Sequence, residues 1–413
     1  MRRWAAWLAP QLTCSPLPPD LRKVLVLVVV LGMAGGLGWW YLRPRSLPDY
    51  GPLYREYAYV TNGKSDTVSV IDMTPRPLPR FNVLKTMRVG NIPTGVAANT
   101  KKNEIYVVNT GSNNISVIDA ERNQVVATIG VQGKPYFIDV SPDGTRAYVA
   151  NSGSANVSVI DLEKRLVLAN IRVGGGPGLA RVSPDGKIVV VSNRSDGSIS
   201  IIDAAGLRVQ TTIGLCKEPD DIAILPDNSK AFVECSGGGQ VAAVDLKNAK
   251  LLALLDVGKT PVDLALKPDG GELIVCNFDS DNISIIETTT NEVGNSYLIG
   301  AQPARGVVTA DSSRLYVSNF GSNSVAVYDI DNGKVIASLA VGTHPDGLAL
   351  SENEDYLLVL DSGSGDVAVI ERRRPTKLEP AEYALLTMTQ VGLQPNNIAV
   401  KAFRLTKPIG AAR

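Results

Sequence analysis

Histidine is what this 413-residue chain has least of: there is one, His344. A metal site built from several histidines of one chain is thereby excluded. Any histidine acid–base chemistry has a single possible location. Cysteine is nearly as scarce, and four residues are too few for a scaffold built on disulfides. Neither sign of charge is in excess, with 41 Lys and Arg against 41 Asp and Glu. A nucleic-acid partner would call for a basic surplus, so the balance argues against one. Balanced charge with 44% hydrophobic residues argues equally against disorder. The 38 glycines and 25 prolines stay below the level of low-complexity sequence. There is no nucleophile elbow, phosphate loop, CxxCH haem attachment or HExxH zinc motif. The run VGGGPG at 173–178 precedes a strand rather than a helix, the wrong context for a phosphate.

Residues 24–42, VLVLVVVLGMAGGLGWWYL, carry no charge. At ~1.5 Å per residue they nearly cross a bilayer core of ~30 Å. Arg2, Arg3, Arg22 and Lys23 precede the run, and Trp39, Trp40 and Tyr41 end it as an aromatic belt would. The segment reads as an uncleaved signal anchor, with residues 1–23 cytoplasmic and the rest in the periplasm or extracellular space. A cleaved signal peptide, with Ala34-Gly35-Gly36 as its cleavage site, is the competing reading. Cys14 precedes the apolar run and is poorly placed for a bacterial lipid anchor. Residues 43–57 are rich in proline and charge and read as a linker.

A repeat fills the remainder. Pro93, Pro135, Pro177, Pro219, Pro261, Pro303 and Pro345 stand 42 residues apart, and Pro395 follows after 50. Ile105–Asn109, Ala147–Asn151, Val189–Asn193, Ala231–Cys235, Leu273–Asn277, Leu315–Asn319 and Leu357–Asp361 keep the same period, with Ala58–Asn62 before them. Each unit holds four short β-prone runs separated by turn signals such as Pro-Asp-Gly at 142–144. Four strands in about 40 residues specify a propeller blade. Segments such as AYVTN, IYVVN, AYVAN and LYVSN, each followed by VSVID-like and VGxxPxG-like runs, resemble the YVTN-type β-propeller repeat. The resemblance covers residues 58–404, with 405–413 a tail. It implies an all-β, eight-bladed propeller of four-stranded blades. Asn397–Ala402 is expected to complete the first blade and leave no open sheet edge. Seven blades with an extra hairpin is the alternative.

Departures from the repeat mark candidate sites. After the eight prolines the residues differ from unit to unit, and this places a ring of unlike side chains at the channel mouth. One sector is polar: Asp220, Asp221, Asp263, Arg305, Asp346, Asn396 and Asn397, with His344 beside Pro345. The facing sector carries Tyr136 and Phe137. A polar cluster opposite an apolar wall is a usual small-ligand site. Local turn chemistry is the competing reading. Asp220, Asp221 and Asp263 could hold Ca²⁺ or Mg²⁺, but no loop spacing supports it. Asp139 and Arg181 occupy the same position in neighbouring units and are expected to pair. The repeated asparagines are expected to bond turn amides. Cys216 and Cys235 fall on one blade and are expected to form a disulfide, with Cys276 a buried free thiol. Insertions after Asp72 and Glu371 carry Arg76, Arg80, Arg372, Arg373, Arg374 and Lys377, a basic patch on the opposite face suited to lipid headgroups. The expected function is a membrane-tethered binding module that presents its mouth to a small ligand or partner protein. The alternative is a cofactor-bearing or enzymatic propeller, by fold analogy with d-type haem propellers, quinoprotein dehydrogenases and lactonases.

Overall fold

Strand propensity is highest where Val and Ile alternate with small residues. In the computed structural model, which describes residues 50–75, 78–373 and 382–406, those runs are the strands. They form eight antiparallel four-stranded sheets. Seven blades are sequential, from Pro93–Gly130 (blade 2) to Pro345–Gln390 (blade 8). Blade 1 consists of Tyr54–Asn62, Thr67–Asp72 and Val83–Arg88, with Pro395–Arg404 as its innermost strand. The two chain ends thus pair in one sheet, and the ring has no free inner edge. The first strand starts at Tyr54 rather than Ala58 because Tyr54 to Tyr57 pair with Arg404 to Lys401. The last four linker residues therefore belong to the propeller.

Turn chemistry sets the strand ends. In the Pro-Asp-Gly turns, Gly144 takes φ 69° and its amide bonds Ser141 O at 2.8 Å. At the same face the carboxylates of Asp119, Asp161, Asp203 and Asp245 accept amides two and three residues on. These are the acidic residues that recur ten positions after each asparagine. Proline opens each inner strand, where its missing N–H costs no ladder bond.

Apolar side chains fill all eight seams between blades. Val190, Ile201, Val233 and Val244 pack between blades 4 and 5, and Ala58, Val60, Leu358 and Leu360 between blades 8 and 1. The core is therefore a ring of like interfaces with the polar channel at its axis.

The recurring asparagine ties each blade to the loop that enters it. The Nδ2 of Asn109 donates to Ser116 Oγ at 2.9 Å, and Asn151, Asn193 and Asn277 bond Ser158, Ser200 and Ser284 in the same way. Turn amides are not the general partner: the hydroxyl of the next strand lies nearer, and Asn62 alone of these accepts a loop amide, from Gly392 at 3.0 Å. The asparagine also packs flat against the glycine three before the proline. A Cβ added at Gly258 would stand 2.5 Å from Asn277 Cβ.

Residues 24–42 lie outside the described residues. Among the described residues no helix is long and apolar enough to cross a membrane.

Gly258→Ala is expected to lower stability by about 1–3 kcal/mol through overpacking. Gly130→Ala, where an added Cβ meets nothing within 4 Å, should fall within about ±0.5 kcal/mol. Denaturant midpoints of the two variants check this.

Candidate functional site at the channel mouth

Because the inner strand begins at its proline, the next two or three residues face the axis. Here they enclose a cavity of about 530 Å³. Tyr136, Phe137, Asp220, Asp221, Arg305, Asp346, Asn396 and Asn397 all line it, joined by Thr94, Leu179, Arg181, Val262 and Leu348. Its size is ordinary for a small-ligand site.

Three arginines stand on three carboxylates. Arg305 Nη1 donates to Asp263 Oδ1 at 2.7 Å, while Asp263 Oδ2 accepts the Gly306 amide at 2.8 Å. Asp263 therefore sits behind the lining, almost fully buried. Arg181 Nη2 lies 3.3 Å from Asp221 Oδ1, and Asp221 Oδ2 accepts the Leu264 amide at 3.1 Å. Arg194 Nη1 meets Asp220 Oδ2 at 3.2 Å. Each carboxylate of the first two pairs thus also stitches its own blade to the next. The guanidinium of Arg181 rests on Phe137, 4.8 Å from the ring centre.

The expected Asp139–Arg181 pair is replaced by Arg181–Asp221. Asp139 spends its oxygens on the amides of Val140 and Val182, each at 3.0 Å, and Arg181 turns toward the following blade. Burial raises the Asp139 carboxyl, and Arg181 only moderates the rise.

Burial governs the protonation of the mouth. It pushes Asp220 up to about 6, against the pull of Arg194, and it raises Asp346. Burial raises Asp263 as well, with Arg305 opposing. Burial raises Glu234 well above its ordinary value, and Asp220, Asp221 and Asp263 raise it further. Sequence reasoning passed over Glu234, although it breaks a position otherwise held by Thr61, Val108, Ala150, Ser192, Cys276, Ser318 and Leu360. Arg194 was equally visible, as a charge directly after Asn193.

His344 does not line the cavity. It occupies the left-handed region at φ 54°, is exposed, and stacks on Phe320 with ring centres 4.4 Å apart. Every residue before a mouth proline has a positive φ, including Ile92, Lys134, Gly176, Glu218, Thr260, Gln302 and Gln394, and none lines the cavity. Asp220, Asp221 and Asp263 are taken up by arginines and amides. Among the described residues no three His, Cys, Asp or Glu are placed to hold a metal ion.

Cys216 and Cys235 are joined, with Cα atoms 5.9 Å apart. Cys216 stands where six of the other blades have the packed glycine, and Cys235 where six have the asparagine. The bridge takes the place of that contact. Cys276 is free and fully buried, and burial raises its thiol. On the opposite face Arg80 is exposed. Arg372 lies 3.7 Å from both Asp311 and Glu354, and Arg373 pairs with Glu371 at 2.9 Å and Glu382 at 3.1 Å. Arg76, Arg374 and Lys377 lie outside the described residues.

The family model "Cytochrome D1 heme domain" matches residues 99–305, half of the chain. The chain belongs to the cytochrome D1 heme domain family. A second model, "Lactonase, 7-bladed beta-propeller", matches residues 290–385; the sheets number eight here. Solved structures of similar fold support the propeller. "Dihydro-heme d1 dehydrogenase NirN in complex with DHE" has TM-score 0.64 at 14% identity, over 87% of this chain and 77% of that one. Hydrazine synthase of Kuenenia stuttgartiensis has TM-score 0.55 at 23% identity, over 66% and 91%. A functionally unknown protein of Desulfotomaculum acetoxidans has TM-score 0.55 at 17% identity, over 83% and 98%. No curated protein matches the chain. At these identities the likeness is one of fold.

One member of the repeat is ionisable where this family member's other blades are not. Asp361 replaces the asparagine of blade 8 and faces Asp366 across the ladder. Both Asp361 oxygens and Asp366 Oδ1 are buried without a donor among the described residues. Burial, then the facing Asp366, pushes Asp361 up to about 8. An acid whose folded pKa is raised costs nothing below its unfolded value near ~4. It removes stability as pH rises from there through the folded value. Asp361→Asn is therefore expected to raise Tm at pH 8 by several degrees more than at pH 4, as thermal melts across that range will read. Reducing the Cys216–Cys235 bridge should cost about 2–4 kcal/mol, measured by melts with and without reductant in wild type against the Cys216→Ser/Cys235→Ser variant.

Proposed function

We propose that this protein is a membrane-tethered, extracytoplasmic binding propeller whose channel mouth takes a small polar ligand. One observation carries the reading. Residues that build blades recur in most units, whereas the first residues of the inner strands differ from unit to unit and line one cavity, polar on one side and apolar on the other. Structural need alone asks for the same side chain eight times. The tether rests on the uncharged run 24–42 and the arginines before it. The disulfide agrees with an oxidising compartment.

Family membership raises a second reading, a d-type haem in the mouth. Haem iron takes His, Cys, Met or Tyr as its protein ligand. Of these only Tyr136 lines the cavity, and burial raises its phenol, which keeps it protonated. A haem also brings carboxylates, and the mouth meets them with the like charges of Asp220, Asp221 and Asp346, while each of its arginines already faces a carboxylate of the protein. The residues present do not fit the group. A metal-assisted lactonase reading asks for a cluster of ligating side chains, and among the described residues no three His, Cys, Asp or Glu are placed to form one.

Native mass spectrometry of the full chain in mild detergent, with an absorption spectrum on the same sample, tests the proposal. The expected result is a bound non-protein mass that is lost in Asp346→Asn and Tyr136→Ala, without a visible band. A visible band abolished by His344→Ala would replace this reading with the haem one. A protein-only mass, with capture of a partner protein, would make the propeller a scaffold.

A further inference from the structure

We infer that the mouth ligand is a neutral polyhydroxylated molecule, a sugar of one or two rings, and this rests on the binding reading above. The argument is one of charge accounting inside a cavity. Arg181, Arg194 and Arg305 each face one carboxylate, on Asp221, Asp220 and Asp263. An anionic ligand would have to compete with one of these pairs and would leave the pair's own carboxylate uncompensated. The remaining mouth carboxylate, Asp346, already lies in the field of Arg305, so a cationic ligand would be opposed by that guanidinium.

Hydrogen-bonding capacity, by contrast, is left over in both senses. Arg305 uses one N–H on Asp263 and, among the described residues, no other, while nearly half of its side chain is open to the cavity. The carboxylate of Asp346 lines the cavity and has no hydrogen-bond partner among the described residues. Spare donors on a guanidinium and spare acceptors on a carboxylate, side by side, suit hydroxyl groups, which give and take. Asn397 adds an amide with the same double character; only its Oδ1 is engaged, by the Ile398 amide. Opposite stands Tyr136, 44% exposed, with Phe137 and, on the next blade, Leu179. An aromatic face next to apolar side chains is what the C–H face of a sugar ring packs against. The repeat explains none of this asymmetry.

Sugars that share a ring but differ in charge test the inference. Calorimetric titrations would use the full chain in a detergent without a sugar headgroup. The neutral set is glucose, galactose, mannose, N-acetylglucosamine and maltose; the charged set is glucosamine and glucuronate. At least one neutral sugar is expected to bind tenfold or more tighter than either charged one. Its affinity should not change between 50 and 500 mM salt, since no net charge is screened. Asp346→Asn and Tyr136→Ala, neither of which removes a side-chain hydrogen bond within the protein, should each weaken it tenfold or more at unchanged Tm. Tighter binding of glucuronate or glucosamine, with salt sensitivity, would overturn the sugar assignment and leave the cavity standing as an ion-recognition site. Heat from none of the seven, while the native spectrum still shows a bound mass, would overturn the assignment alone. No heat and no bound mass would overturn both readings.

Discussion

At the end of the second strand in four of the eight blades, a side-chain amide lies against a loop glycine and donates to a hydroxyl on the third strand. That contact binds three things at once: the second strand, the third strand, and the loop arriving from the previous blade. The loop delivers the proline that opens the inner strand, and the proline sets which residues face the axis. The glycine must be bare because the amide occupies the space of its Cβ, at Gly258 within 2.5 Å of Asn277. Where the sequence abandons the pair, a different tie stands in its place. Blade 5 uses the Cys216–Cys235 bridge, and blade 8 places an acid, Asp361, against the same kind of glycine.

This arrangement separates stability from specificity. The eight seams are apolar and nearly interchangeable, so they hold the ring whatever stands at the mouth. The mouth residues then vary freely, subject to one rule: a charge brought into the channel must find its complement. Arg305 on Asp263, Arg181 on Asp221 and Arg194 on Asp220 satisfy it. Glu234 lies among these carboxylates, and burial together with their charges raises its own carboxyl. A binding site of this kind spends its charges on itself and meets a ligand with what remains: single N–H groups, lone pairs and one aromatic face.

Much of the fold was legible. The 42-residue period, the proline grid and the β-branched runs specify four-stranded blades, and the copies number eight. The closure by the C-terminal strand was legible too, since Asn397–Ala402 had no other sheet to join. Most residues lining the mouth followed from topology, because the lining comes chiefly from the first residues after the inner-strand prolines; Asp263 sits behind it. His344 was misplaced. Its position one before the proline puts it in a left-handed turn outside the lining, and a one-residue shift decides which side of a turn a side chain takes. The pairing of Arg181 was misjudged for a related reason: a long side chain reaches either neighbouring blade, and the amides of Val140 and Val182 had already taken Asp139.

By itself, then, the sequence determined the architecture, the blade number and most of the residues gathered at the axis, because a repeat states the same local rule eight times over. Only the tertiary structure decided who pairs with whom among those residues. Ion pairs and protonation depend on distances between segments 40 or more residues apart, and no local pattern records them. Glu234 shows the difference most clearly. In the sequence it is one glutamate in a strand; in the fold it is a buried acid near three carboxylates, and burial raises its carboxyl.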